Sequence, residues 1–180
     1  RQMCIRDSGR GEDNSVGKQG LNGWIFALLT LDTMGYKTPE GAEFDRERIL
    51  SEIVSSQNAD GGFSLSKGES DIDITAMALQ AIAPYYNDFS RDDVRKSADK
   101  AVEYLSGKQD SSGSFGSAEA DSQVTIALCS LGIDPEADSR FVKNSDLLTS
   151  LLSYQNSDGG FSHEKGGVSD ELATGQALCA

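Results

Sequence analysis

Apolar residues recur along the chain in two patterns, both at helical spacing. In the first pattern, apolar residues occupy one face and polar residues the other, which is typical of a helix with one buried side. This pattern occurs around residues 49–54, 98–105 and 147–152. Segments of the second pattern are richer in alanine, carry few charges and are apolar around most of their circumference; they span residues 21–34, 72–84, 122–132 and 170–180. We expect these to form helices that are buried on several sides.

The two kinds of segment alternate with a period of about fifty residues. The frame is marked by Ala27, Ala78, Ala127 and Ala177, each followed by a leucine and each inside a segment of the second kind. Exposed and buried helices that alternate at a fixed period describe stacked helical hairpins, as in a solenoid or a closed α/α toroid. No long stretch alternates in the manner of a strand, so the predicted fold class is all-α.

A glycine turn follows each amphipathic segment in the same frame. The shared sequence is Q-x-x-x-G-x-F, and its defining residues are Gln57, Gly61 and Phe63, then Gln109, Gly113 and Phe115, and finally Gln155, Gly159 and Phe161. We expect the glutamine to hydrogen-bond free N–H groups at the start of another helix. The glycine permits a tight turn, and the aromatic ring is expected to be buried where consecutive hairpins meet. Because every member has equivalents in the other turns, the predicted role of the motif is structural.

This motif resembles the QW motif, Q-x-x-x-G-x-W, of squalene and oxidosqualene cyclases, with phenylalanine in the tryptophan position. The likeness covers roughly residues 20–180 and is greatest to the prenyltransferase and squalene-oxidase repeats of bacterial, often surface-exposed, proteins. The resemblance implies an α/α toroid, here a partial α6/α6 barrel, in a bacterial protein that is secreted or lies at the cell surface. Cobalamin carriers share the toroid, so the resemblance leaves a cobalamin-like ligand open.

The chain divides into three predicted segments. Residues 1–8 match nothing that follows and resemble the translation of a sequencing-adapter remnant, whereas residues 9–20 are expected to be disordered or a linker. Residues 21–180 are predicted to form a truncated toroid domain. Its hairpins are expected at residues 21–57, 58–109 and 110–155, with a partial hairpin at residues 156–180.

Composition excludes some partners. The chain has 16 Lys and Arg against 29 Asp and Glu, which gives a formal net charge of −13. This balance argues against nucleic-acid binding, which needs a basic surface for the phosphates. No apolar run approaches the roughly eighteen residues of a membrane-spanning helix, so none is predicted. Cys129 and Cys179 lie in apolar segments and are expected to behave as small hydrophobic residues.

The strongest candidate for chemistry is the segment from Asp71 to Ala76, which reads D-I-D-I-T-A. It resembles the D-x-D-D-T-A motif of class II terpene cyclases, in which the middle aspartate protonates an alkene or an epoxide. The resemblance implies Asp73 as the general acid, with Asp71 as the neighbouring charge that raises its pKa. Ile74 stands where the third aspartate belongs.

A competing interpretation places these carboxylates as helix caps. Acidic side chains at the start of a helix bind its free N–H groups and interact favourably with the helix dipole. We expect the other buried helices to begin in the same way, at Asp121-Ser122 and at Ser169-Asp170-Glu171. Capping lowers the pKa of a carboxylate, which is the wrong direction for a general acid. We therefore favour capping for Asp71 and Asp73.

No metal site is predicted. His163, the only histidine, lies in a polar loop without a matching zinc motif and is expected to be solvated. The glycine turns carry Asn58, Asp60, Asn156 and Asp158, but none has the D-x-D-x-D-G spacing of a calcium loop.

The function that we favour from the sequence is a non-catalytic module that binds an apolar or corrinoid-like small molecule, or neighbouring domains of the same chain, within a larger exported bacterial protein. The first alternative is a fragment of a class II terpene cyclase, related to the squalene-hopene enzymes, with Asp73 as its acid. The second is a structural spacer. Fold alone does not choose between them.

Overall fold

The computed structural model describes residues 16–180, and within this range the chain forms seven α-helices and no extended strand. The helices are α1 (Leu21–Thr33), α2 (Arg46–Ser55), α3 (Ile72–Ile82), α4 (Asp92–Lys108), α5 (Ala118–Ser130), α6 (Leu147–Leu152) and α7 (Glu171–Ala177). Two short 3-10 helices, Val16–Gln19 and Ala83–Tyr85, precede α1 and follow α3. The all-α prediction is confirmed.

The helices form two layers. In the inner layer, α1 packs on α3, α3 on α5 and α5 on α7; in the outer layer, α2, α4 and α6 pack behind α1, α3 and α5. The alternation of buried and amphipathic helices is therefore as predicted. The boundaries differ by a few residues: α5 begins at Ala118 rather than at residue 122, α3 ends at Ile82 rather than at 84, and α7 ends at Ala177 rather than at 180.

Burial explains why the layers take this order. Every residue of α3 is buried or half-buried, since α3 is covered by α1, α5 and α4. By contrast, α4 buries one face only, with Val94, Ala98, Val102 and Leu105 directed inward. Full burial of a leucine or valine side chain contributes roughly 1.5–3 kcal/mol, so the inner helices owe most of their stability to their neighbours.

Two predicted features need correction. Val16–Gln19 is a 3-10 helix that packs against α1, so this part of the expected linker at residues 9–20 has regular structure. Residues 1–8 and 9–15 lie outside the described range. Cys129 and Cys179 are exposed rather than buried, because both lie at or beyond the last turn of an inner helix, where its apolar contacts end. Between residues 16 and 180, no helix is both long enough and apolar enough to cross a membrane.

The glycine turns differ in how tightly they are packed. Gly61, Gly113 and Gly159 have φ of 89°, 86° and 87°, a region that other residues rarely adopt. A Cβ on the next residue, Gly62, would lie 2.5 Å from Ser70 Cβ and 2.9 Å from Tyr104 Cζ. The crowding comes from the loop between Phe63 and Asp71. The second turn lacks such a loop and carries Ser114 at this position.

We predict that Gly62→Ala destabilises the protein by about 1–3 kcal/mol, because the new methyl group overpacks the contact with Ser70 and Tyr104. Gly68→Ala is the matched control, since a Cβ at Gly68 meets nothing within 4 Å. The free energy of unfolding in urea is expected to change by less than about 0.5 kcal/mol in this control. Equal losses in the two variants would contradict the packing argument.

Candidate functional site

The glutamines of the three turns donate to carbonyl oxygens. Gln57 Nε2 donates to Gly61 O and to Ser97 O on α4, both at 2.8 Å. Gln109 Nε2 likewise donates to Gly113 O and to Phe141 O, both at 2.9 Å. The expectation that these side chains bind free N–H groups is wrong, because the groups that face the amide are carbonyls. The first two glutamines thus join a turn to the next outer segment.

The last turn makes fewer contacts than the other two. Gln155 is exposed, and its Nε2 donates to Gly159 O at 3.3 Å. A Cβ at Gly159 would meet nothing within 4 Å, whereas at Gly61 and Gly113 it would lie 2.6 Å from a carbonyl oxygen of the next outer segment. Within the described residues, no outer helix follows α7.

The phenylalanines of the motif are buried, and their backbone N–H groups are held by inner-helix side chains. Phe63 N–H donates to Thr75 Oγ1 and Phe161 N–H to Thr174 Oγ1, both at 2.8 Å. In the second turn, Phe115 N–H donates to Asp121 Oδ1 at 2.6 Å. A side chain on the first turns of each inner helix therefore fixes the glycine turn that precedes it.

Asp71 and Asp73 have different environments. Asp71 is the N-cap of α3, and its Oδ1 accepts from Ile74 N–H at 2.9 Å. Asp73 is half-buried, and its Oδ1 is inaccessible to solvent and has no hydrogen-bond partner among the described residues. Burial raises the pKa of Asp73, and the charges of Asp71 and Glu119 raise it further. Capping thus describes Asp71 but not Asp73.

Of the two equivalent helix starts, one agrees with expectation and one does not. Asp170 caps α7 as predicted, accepting from Leu172 N–H and Ala173 N–H at 2.9 Å. Asp121 does not cap α5, because the helix begins earlier and Ser117 accepts from Ala120 N–H instead. The prediction of a cap at Asp121-Ser122 is therefore wrong. The segment between the second turn and its helix is short, so α5 begins sooner.

A pocket of about 400 Å³ lies between the loop after Phe63 and the start of α3. Its lining residues are Ser64, Leu65, Ser66, Lys67, Gly68, Glu69, Asp71, Asp73 and Ile74. The loop is anchored to the start of α1, since Leu21 N–H donates to Leu65 O at 2.9 Å. The pocket brings Asp71 and Asp73 together beside exposed loop residues, so it is an open site with three carboxylates and one ammonium group.

Two further side chains, Glu119 and His163, lie close enough for their charges to act on Asp73, and no local sequence pattern marks them. His163 Nδ1 lies 2.8 Å from Glu119 Oε2, and this contact raises the pKa of His163. Glu119 is the second residue of α5, as Asp73 is the second residue of α3. Asp73 and Glu119 therefore occupy equivalent positions in the two repeats, which only the helix boundaries reveal. Across the described chain, no three His, Cys, Asp or Glu side chains form a group that could hold a metal ion.

Asp121 is a second carboxylate whose burial the sequence did not predict. Asp121 is inaccessible to solvent and accepts hydrogen bonds from the second turn and from α6. Burial raises the pKa of Asp121 to about 6, although its hydrogen bonds act in the opposite direction. Its fifty-residue spacing from Asp71 suggested a cap, and only the helix boundary shows otherwise.

The chain matches the family model of the prenyltransferase alpha-alpha toroid domain over residues 12–180. A comparison with curated proteins gives no match. The family match confirms the toroid family that the repeat and the Q-x-x-x-G-x-F motif indicated.

We predict that Gln109→Ala destabilises the protein by about 2–4 kcal/mol, because Gly113 O and Phe141 O each lose a buried donor. Gln155→Ala removes one exposed hydrogen bond and is expected to cost less than about 0.5 kcal/mol. Urea unfolding of both variants measures the difference. Similar losses would show that the two glutamines are equivalent, contrary to their contacts.

We predict that Asp73→Asn stabilises the protein by about 0.5–1 kcal/mol at pH 7, because it removes a half-buried charge beside Asp71 and Glu119. The folded pKa of Asp73 is raised, so its ionisation costs stability as the pH rises, and the gain should vanish near pH 4. Asp71→Asn is the control, since asparagine also caps helices. A loss of stability in Asp73→Asn at pH 7 would show that this carboxylate has a stabilising partner.

Proposed function

The chain belongs to the prenyltransferase alpha-alpha toroid domain family, and from this premise we propose that it is a non-catalytic ligand-binding module of a larger exported bacterial protein. The observation that carries the proposal is the open pocket at the start of α3, with the Asp73 carboxyl beside it. The exported setting rests on the resemblance to bacterial surface repeats. A signal peptide in the complete reading frame would support that setting.

The size and lining of the pocket support a small ligand. Its volume of about 400 Å³ lies in the range of small-molecule sites, roughly 300–1,000 Å³. Leu65 and Ile74 offer apolar contact, whereas Glu69, Asp71 and Asp73 offer negative charge against the single ammonium group of Lys67. A ligand that fits this lining is amphipathic, with an apolar tail and a cationic or hydrogen-bond-donating end. The class of ligand is therefore narrower than the apolar small molecule expected from the sequence.

The Asp73 carboxyl is the group best placed to hold the polar end of such a ligand. A buried oxygen without a hydrogen-bond partner loses its hydration without compensation, and a donor from a ligand restores what was lost. The charges of Asp71 and Glu119 raise the pKa of Asp73 by more than the charge of His163 lowers it, so a positive group placed there relieves repulsion among three carboxylates. The unpartnered oxygen and the repulsion between carboxylates both favour a ligand whose polar end is cationic.

The openness of the pocket argues against a cyclase. A carbocation intermediate must be kept from water, which needs an enclosed apolar cavity. Here the loop residues Leu65, Lys67 and Glu69 are exposed, and Ile74 replaces the third carboxylate of the acid motif.

One observation favours the cyclase as a second candidate. Burial raises the pKa of Asp73, and this is the direction that a general acid needs. The capping argument against catalysis therefore applies to Asp71 alone.

A panel of probes that share one apolar tail tests the proposal: geranylamine, geraniol and geranyl diphosphate, with cyanocobalamin as a corrinoid. We expect geranylamine to bind best and to shift the backbone amide signals of residues 64–74 in NMR spectra. Asp73→Asn should weaken its binding about tenfold or more, since a charge-assisted hydrogen bond is lost. Asp170→Asn, a carboxylate that caps α7, should leave binding unchanged.

Two outcomes would overturn the proposal. The first is geranylamine binding that Asp73→Asn does not weaken, or shifts confined to another part of the chain. The second is a cyclised product from squalene or geranylgeranyl diphosphate that is lost in Asp73→Asn, which would establish the cyclase instead. Cyanocobalamin bound with its visible absorbance retained would favour the corrinoid ligand over the amphipathic amine.

A further inference from the structure

The buried carboxyl of Asp121 lies outside the proposed binding site, in the first turns of α5. Its solvent exposure is 0%. Oδ1 accepts from Phe115 N–H at 2.6 Å, Oδ2 accepts from Ser150 Oγ on α6 at 2.8 Å, and Ser114 Oγ lies 3.3 Å from both oxygens. One side chain thus connects the second glycine turn, α5 and α6.

In the other two turns, a threonine hydroxyl accepts the hydrogen bond from the phenylalanine N–H. Thr75 Oγ1 accepts from Phe63 N–H, and Thr174 Oγ1 accepts from Phe161 N–H. A threonine hydroxyl does not ionise between pH 4 and 7, so those turns are held alike throughout this range. In the second turn the ionisable carboxyl of Asp121 accepts this hydrogen bond instead.

The hydroxyl groups around Asp121 can hydrogen-bond to its carboxyl whether that carboxyl is ionised or protonated. The hydroxyls of Ser114 and Ser150 both donate and accept, and Ser114 Oγ lies 2.8 Å from Tyr154 Oη, so the direction of these bonds can reverse. Phe115 N–H, in contrast, can only donate. The hydrogen-bond donors of Asp121 are a backbone amide and hydroxyls, all of them neutral.

Charged and titratable groups on the neighbouring elements also bear on the protonation of Asp121. Lys165, whose Nζ lies 5.1 Å from the Tyr154 ring centroid, lowers the pKa of Asp121, but burial outweighs it. Asp110 lies in the same turn, and Tyr154 follows α6. The acidic side chains of the other elements are Glu119 on α5, Asp73 on α3, and Asp170 and Glu171 at the start of α7.

We propose that Asp121 is a proton-operated latch, which holds the second turn and α6 against α5 when it is protonated and weakens that contact when it ionises. An aspartate in an unfolded chain ionises near pH 4, whereas burial raises the pKa of Asp121 to about 6. The contribution to stability is therefore fully present below about pH 4 and is lost as the pH rises through about 6. The first and last turns lack this dependence.

Hydrogen exchange of three backbone amides tests the latch within one molecule. We expect the protection factor of Phe115 N–H, corrected for intrinsic exchange, to fall about a hundredfold between pH 4 and 7, as a shift of about two pKa units requires. Phe63 N–H and Phe161 N–H, which are held by Thr75 and Thr174, should change by only a few-fold. A parallel fall at all three amides would overturn the latch, because the loosening would not be confined to the third hairpin.

Two variants test the carboxyl itself. Asp121→Asn removes the ionisable group, and Asp121→Thr installs the side chain that the sister turns use. In both we expect the protection of Phe115 N–H to become independent of pH. A fall that persists in either variant would overturn the assignment. If the variants do not fold, the three amides of the unaltered chain still decide the question.

Discussion

The fold depends on a packing constraint of its inner helices. An alanine-rich helix without a polar face is stable in water only when neighbours cover several of its sides. In this chain α3 has α1 and α5 beside it and α4 behind it, so none of its residues is exposed. The outer helices and the glycine turns follow from this need, since each hairpin must return the chain to the inner layer beside the preceding inner helix.

The glycine turns fix the register between each inner helix and the outer segment beside it. A hydrogen bond from the phenylalanine N–H to an inner-helix side chain fixes where each turn meets its helix, and the glutamine amide fixes where the turn meets the next outer segment. Where the loop after the phenylalanine is present, as at residues 64–70, it forms a wall of the pocket beside Asp73. Where it is absent, the helix begins earlier and Asp121 becomes buried. One structural difference between repeats therefore accounts for both unusual carboxylates.

Periodicity was enough to predict the layers, because hydrophobic spacing reports directly on which faces are buried. It was not enough for the carboxylates. Asp71 and Asp121 are fifty residues apart and looked equivalent, yet the short segment after the second turn places α5's first residue at Ala118 and Asp121 in the core. The contact between His163 and Glu119 joins residues distant in sequence, and no local pattern marks it. The direction of the glutamine hydrogen bonds depends on which backbone groups face the amide, and only the folded turn shows this.

The proposed function requires the Asp73 carboxyl to be an unpartnered group in an open site that accepts a cation. The most direct measurement is a carboxyl-carbon NMR titration of Asp73, without and with geranylamine. We expect a midpoint above the ordinary value of about 4 in the free protein, and a lower midpoint when the amine is bound, since a positive neighbour favours the ionised form. A midpoint at or below about 4 that the amine does not change would contradict this role of Asp73.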